Sequence, residues 1–209
     1  TLGQTRMRVS LKYNGIPTSC ETFLYGQVED YTVVIVPSSS TLNLKLYLEG
    51  YYDTTTHTMR SVQSNQGTSS NPTDVDTINV ELRDATTPTT LIATTPVVLQ
   101  TDGTAVCNYP TAPNGSFYVV VNHRNSVQTW SATPIAIGPT AATYDFSNAA
   151  TKAFGNNLTQ LESGVWGCYT GDMNQDGNVD NSDYSNWEVD ANEFAFGNFA
   201  TDLNGDGNV

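Results

Sequence analysis

The sequence predicts a mainly β protein: antiparallel β-sandwich domains followed by a small loop-and-helix module. Three observations carry that expectation. Short runs alternate apolar and polar side chains, which is the period of a half-buried strand. Clusters of Gly, Pro, Asn, Ser and Thr separate the runs, as turns require. The last forty or so residues abandon this pattern for a repeated string rich in Asp and Asn.

Met7-Arg8-Val9-Ser10-Leu11 and Tyr31 to Val36 read as strands, with Asn14-Gly15, Pro17 and Cys20 between them. Pro37 to Thr41 reads as a linker. Leu42 to Leu48 then alternates strictly, with Leu or Tyr on one face. Further strands are expected at Thr77–Leu82, Leu91–Leu99, Ser116–Val121 and Thr129–Ile137, and Cys107 falls on another after the turn Thr101-Asp102-Gly103. Thr54 to Thr73, with Gly67 and Pro72, is too poor in apolar residues for core and reads as a long loop. No amphipathic helix is expected before residue 180. Three parts follow: 1–37, 38–170 and 171–209.

Lys and Arg number 8 against 21 Asp and Glu, giving a net charge of -13. Such a surface repels the nucleic-acid backbone and attracts cations. Nine of those thirteen charges lie from Asp172 onward, where there are seven Asp, two Glu and no Lys or Arg. No apolar run is long enough for a membrane helix, so membrane insertion is not expected. Scarce Lys with abundant Thr, Ser and Asn reads as an exported β protein, either extracellular or at the cell surface. The chain opens on Thr1 as though inside a domain.

The most specific string is Asp172-Met173-Asn174-Gln175-Asp176-Gly177-Asn178-Val179-Asp180-Asn181-Ser182-Asp183. Calcium is a hard cation that takes six to eight oxygens, so one short loop must turn several carboxylates and carbonyls inward. Asp172, Asn174 and Asp176 stand at positions 1, 3 and 5, and Gly177 at position 6, where the chain turns sharply. Asn178 offers its main-chain carbonyl from position 7. Val179 is expected to fix the loop in a core from position 8. Asp180 reaches the metal through water from position 9, and Asp183 closes the shell at position 12. Asp202-Leu203-Asn204-Gly205-Asp206-Gly207-Asn208-Val209 repeats positions 1 to 8, beginning 30 residues after Asp172. Asp202, Asn204, Asp206 and Asn208 are therefore the second candidate ligand set. One such loop can also read as a solvated turn, the lesser of the two readings; two copies in phase strengthen calcium further.

This tandem resembles the dockerin family, whose duplicated loop-helix repeats use Asp at position 12. The resemblance covers residues 171–209 and implies a small Ca2+-binding module. The linking segment, Tyr184 to Thr201, carries Trp187, Phe194, Phe196 and Phe199 but lacks the basic residues that help dockerins grip a cohesin. A cap on the preceding domain is therefore expected rather than cohesin binding. At the other end, Arg6-Met7-Arg8-Val9, Cys20 and Tyr25-Gly26-Gln27-Val28-Glu29-Asp30-Tyr31-Thr32-Val33 look like the closing half of a GEVED domain, with Gln27 in place of the first Glu. That resemblance implies further protein upstream, secretion by the type IX route, and company with peptidase or adhesin regions.

Cys20, Cys107 and Cys168 fit no zinc spacing. A Cys107–Cys168 disulfide is expected, stabilising by roughly 4 kcal/mol on the chain-entropy model; a Cys20–Cys107 bond and three free thiols are the alternatives. His57 and His123 are the only histidines, and neither G-x-S-x-G nor H-E-x-x-H occurs, so no active site is expected. His123 and Arg124 read as sheet-edge residues bonded to loop backbone. Asn114 and Asn157 match the N-glycosylation acceptor. Thr54 and Thr77 sit in Asp-Thr pairs similar to a bacterial O-glycosylation pattern.

The expected function is a non-catalytic structural or adhesive segment of a bacterial surface protein or extracellular filament, stiffened by calcium. Its expected partners are other domains or copies of the same protein. The rival is an accessory region of a secreted hydrolase or peptidase, which binds glycans if Tyr51, Tyr52 and Trp130 form a flat platform.

Overall fold

A computed structural model describes residues 3–35, 39–111 and 113–209. The chain divides into two compact units after residue 38. Among the described residues no helix is long and apolar enough to cross a membrane.

The first unit is a hairpin of β1 (Gly3–Lys12) and β2 (Gly26–Ile35), paired antiparallel from Gly3 opposite Ile35 to Lys12 opposite Gly26. Arg8 faces its cross-strand partner Asp30 through two hydrogen bonds of 2.7 and 2.8 Å. Alternation puts Met7, Val9, Leu11 and Tyr31 on one face, where all four are at least half exposed or close to it. Lys12 pairs with Glu21 in the long connection between the strands.

The second unit contains the remaining elements in chain order: β3 (Ser40–Lys45), β4 (Tyr52–Asp53), β5 (Thr58–Met59), α1 (Val62–Asn65), β6 (Asp74–Asp84), β7 (Leu91–Gln100), β8 (Thr104–Tyr109), β9 (Gly115–His123), β10 (Ser126–Trp130), β11 (Ile135–Ile137), β12 (Ala142–Asp145), β13 (Thr159–Glu162), β14 (Val165–Gly167) and α2 (Asn181–Asn192). One sheet has the order β10-β9-β6-β7, with β11 continuing along the same edge of β9 as β10. The other has the order β12-β3-β8. All these pairs are antiparallel except β12–β3, which is parallel.

Both sheets feed a single apolar core. Leu42 and Leu44 of β3, Ile78, Val80 and Leu82 of β6, Cys107 and Tyr109 of β8, and Val119 and Val121 of β9 are all essentially inaccessible and belong to one cluster. Each fully buried aliphatic side chain contributes about 1.5–3 kcal/mol, so the alternation seen in the sequence accounts for the layering.

Three local expectations give way. Thr54–Thr73 is not a coreless loop, because β5 and α1 carry Met59 and Val62 into the core. Thr129–Ile137 is not one strand; it breaks at Ser131–Pro134, where Pro134 has no N–H for a ladder. The Cys107–Cys168 bond is absent, and both side chains are buried free thiols, with Cys20 free and exposed. The reason is register. Cys107 pairs opposite Leu42, whereas Cys168 bridges Leu48, six positions further along the same chain segment. At about 3.3 Å per residue that separates them by roughly 20 Å, and a disulfide needs Cα atoms within about 7 Å.

Candidate metal-binding loops and their anchor

The two loops share a set of amide-to-side-chain hydrogen bonds. The Gly177 amide donates to Asp172 Oδ2 at 3.1 Å, and the Gly207 amide to Asp202 Oδ2 at 2.9 Å. The Asp176 and Asp206 amides donate to Asn174 and Asn204 Oδ1 at 2.9 and 2.8 Å. The Asn178 and Asn208 amides donate to Asp176 and Asp206 Oδ1, both at 2.9 Å. Positions 4 and 6 take positive φ in both copies: 61° and 88° at Gln175 and Gly177, 71° and 86° at Gly205 and Gly207. Glycine suits such angles, which is why position 6 is Gly twice.

At position 1 the carboxylates are enclosed: Asp172 is 1% exposed and Asp202 0%. Asp183, at position 12 of the first loop, is also 1% exposed. Its Oδ1 accepts from the Met173 and Asn174 amides and its Oδ2 from the Asp180 amide. Burial works to raise Asp183, but these three donors hold it below the usual carboxylate range. Asp172 is raised, chiefly by burial, with the charge of Asp183 adding to it against donation by the Gly177 amide.

Asp176 and Asp180 are exposed. Asp176 accepts from Asn174 and Asn178 side chains. Asp180 is the N-cap of α2 in a capping box with Asp183, so helix initiation explains its presence as well as a water-bridged ligand would. Among the described residues no three His, Cys, Asp or Glu side chains are grouped as a metal site. Val179 corrects the sequence reading. It is 55% exposed and fixes nothing in a core; it packs on Gly171, where an added Cβ would meet its Cγ1 at 2.8 Å.

The loops are held from the β9–β10 turn. The Asn125 carbonyl accepts from the Gly171 amide at 2.7 Å, and its side-chain amide donates to the Asp202 carbonyl at 3.1 Å. Arg124 donates to the Phe199 carbonyl at 2.7 Å and to the Tyr51 hydroxyl at 2.9 Å. Its Nε lies 2.8 Å from Asp76 Oδ2, and His123 Nε2 lies 3.1 Å from the same oxygen. On the other side, an added Cβ at Gly50 would meet the Leu203 carbonyl oxygen at 1.9 Å, so only glycine allows that approach.

This polar knot is what the sequence reading missed, and His123 is no sheet-edge residue: it is 3% exposed. A signal existed. Asp76 is in phase with Ile78, Val80 and Leu82, and His123 with Phe117, Val119 and Val121, so alternation alone directs both inward. Ser126 Oγ, 3.1 Å from His123 Nδ1, completes a Ser-His-Asp chain. All three residues are 3% exposed or less, so substrate has no access to the hydroxyl. Asp76 is pushed up by burial but ends below its ordinary value through His123 and Arg124.

Tyr51 is 1% exposed, so Tyr51, Tyr52 and Trp130 form no platform. Thr54 is exposed in the turn after β4, and Thr77 is exposed on β6, accepting from Gln63 Nε2 at 3.1 Å. Trp130 instead forms a cleft with Pro88, Tyr118 and Phe154.

A family model for the GEVED domain matches residues 1–34, the hairpin of the first unit. No curated protein and no solved structure matches the chain.

Proposed function

We propose that this chain is a non-catalytic structural or adhesive segment of an extracellular bacterial surface protein, in which a dockerin-like tandem binds calcium and caps a β-sandwich. The observation that carries the reading is the duplicated hydrogen-bond pattern around two enclosed position-1 aspartates, neither of which touches a Lys or Arg. An enclosed carboxylate without a cation is costly, and an all-oxygen donor set suits a hard divalent ion.

Calcium in the first loop would be held by Asp172, Asn174, Asp176, the Asn178 carbonyl and Asp183, with Asp180 behind water. In the second, Asp202, Asn204, Asp206 and the Asn208 carbonyl would serve. Once bound, it supplies positive charge that offsets the crowded carboxylates. The chain's own part is to fix position 1 of each loop on the Asn125 turn, so that the tandem and the sheets move as one body. Secretion by the type IX route, partners among domains or copies of the same protein, and O-glycosylation at Thr54 and Thr77 complete the proposal. The test is thermal unfolding of the whole chain with calcium and with chelator; equal midpoints would sink the calcium reading.

A second reading, a glycan-binding accessory region of a secreted hydrolase, is favoured by the aromatic cleft. Tyr118 and Trp130 meet edge to face at 6.1 Å, and Arg83 lies 5.6 Å above Trp130. Binding of soluble oligosaccharides, lost in Trp130→Ala, would support it.

A further inference from the structure

We propose that the cleft between Pro88, Tyr118, Trp130 and Phe154 takes a neutral sugar ring, and that Phe154 is one of the surfaces on which it stacks. The inference rests on the glycan reading above and names the class of sugar. Val119 and Val121 of β9 enter the core, so alternation turns Tyr118 and Val120 outward. Arg83 stands opposite Tyr118, and Trp130 opposite Val120, on that same outer face. Val120 is fully enclosed yet lies outside the core cluster, so its cover comes from this side.

The walls are fixed before any ligand arrives. The Trp130 indole N–H donates to Gln128 Oε1 at 2.7 Å, and Gln128 Nε2 donates to Asn122 Oδ1 at 2.7 Å. The chain entering Phe154 is tied beside Trp130: the Ala132 amide donates to the Lys152 carbonyl at 2.8 Å, and Ala153 bridges Ser131. Phe154 itself is 66% exposed and outside the core cluster, so packing does not account for its ring. Walls held in this way lose little freedom on binding.

Charge and hydrogen bonding select the occupant. Glu81 and Arg83 pair at 2.7 Å beside the indole, and Arg83 also donates to the Thr89 carbonyl. An acidic sugar therefore meets Glu81 and finds a guanidinium already neutralised. A cation finds the indole already faced by Arg83, 5.6 Å from its centroid, and is repelled by it. Proline-rich strands fit aromatic grooves, but they are gripped there by donors to their carbonyls, and the Trp130 N–H is committed to Gln128. What fits is a neutral ligand with an apolar face and a polar rim. A pyranose ring has both: its C–H groups lie on the negative faces of aromatic rings, and its hydroxyls stay at the rim with those of Thr87 and Thr89, which are exposed on either side of Pro88. The cleft measures about 310 Å³, the lower end for small-ligand sites, which suits one or two rings rather than a long chain.

Calorimetric titration of the whole chain tests this. The probes are neutral tetrasaccharides of glucose, mannose, galactose and xylose, with tetragalacturonate, tetramethylammonium and a decaproline peptide beside them. At least one neutral tetrasaccharide should bind, equally at low and high salt, and the other three probes should not. Phe154→Ala should weaken that binding about tenfold, the size of one lost stacking contact, without moving the midpoint of thermal unfolding. Phe154→Tyr should restore it. Tetragalacturonate binding as tightly as the neutral sugars would overturn the inference and leave the glycan reading standing. So would sugar binding that is lost in Trp130→Ala but stays within twofold of wild type in Phe154→Ala. Sugar binding unchanged in Trp130→Ala, binding of the ammonium or the peptide instead of any sugar, or no binding at all would overturn both.

Discussion

Asn125 grips Asp202 by its main chain, side-chain amide to carbonyl at 3.1 Å, while the Asn125 carbonyl holds Gly171, the residue before Asp172. One turn residue thus sets the entry point of both loops. Asn125 is 1% exposed, so nothing in solvent can replace its bonds.

Asn125→Ala should therefore lower stability by about 2 kcal/mol, the cost of leaving buried partners unpaired. For a chain of this size that is roughly 4–8 °C in the midpoint of thermal unfolding. Asn108→Ala, which removes an exposed bond to Thr41, is the control and should move the midpoint little. Equal effects of the two would refute the anchoring role.

Asp172→Ala should abolish the calcium increment of the first loop. At calcium a hundredfold above the dissociation constant, one site stabilises by about 2.7 kcal/mol. Asp172→Asn should show the charge effect directly, because Asp172 is raised by burial and by Asp183. In chelator it should unfold at a higher temperature than wild type, and in calcium at a lower one. The same sign in both solutions would count against a cation at this loop.

Cysteine chemistry separates the register argument from a disulfide. Burial pushes Cys107 up to about 12 and Cys168 up to about 11, so neither offers a thiolate at neutral pH. Native protein should release one equivalent of thiol to an aromatic disulfide reagent at once, from exposed Cys20, and three in denaturant. A non-reducing peptide joining Cys107 to Cys168 would overturn the assignment.

Acid should loosen the polar knot. Asp76 is held below its ordinary value in the folded chain, so its contribution is complete above the unfolded value of about 3.9 and is lost as pH falls through the folded one. Asp76→Asn should flatten this acid limb of the stability curve. It should also destabilise at pH 7 by about 3–5 kcal/mol, since Arg124 loses its buried counter-charge and His123 a hydrogen-bonding carboxylate. An unchanged acid limb would remove Asp76 from the account.

The layering was legible because Leu42, Leu44, Ile78, Val80 and Leu82 alternate, and alternation is a statement about faces. Register is not. Nothing in the spacing of Cys107 and Cys168 reveals that they pair with Leu42 and Leu48, because pairing depends on distant turns. The loops were legible as strings of oxygen donors, and the structure adds where Asp172 and Asp202 are held. Val179 misled because an apolar residue at a fixed loop position implies a pocket, and here its neighbour is the backbone of Gly171. The bond from Gln66 Nε2 to Asp202 Oδ2 was invisible. Gln66 lies 136 residues from Asp202, in a stretch whose polar composition hides that Met59 and Val62 bring it inward.

The contacts that hold residues 170–202 against the sheets also have an order in time. Gly50 waits for Thr170, 120 residues later; Arg124 for the Phe199 carbonyl, 75 later; Asn125 for the Asp202 carbonyl, 77 later. A chain emerging from its N-terminus has formed most of its sheet strands before these partners exist. Until they arrive, Tyr51 and Asn125 remain open to water, and closing such long loops is slow. Closure of residues 171–209 onto the sheets is then a late step of folding, and on the proposed calcium reading it is the step that a bound ion would favour.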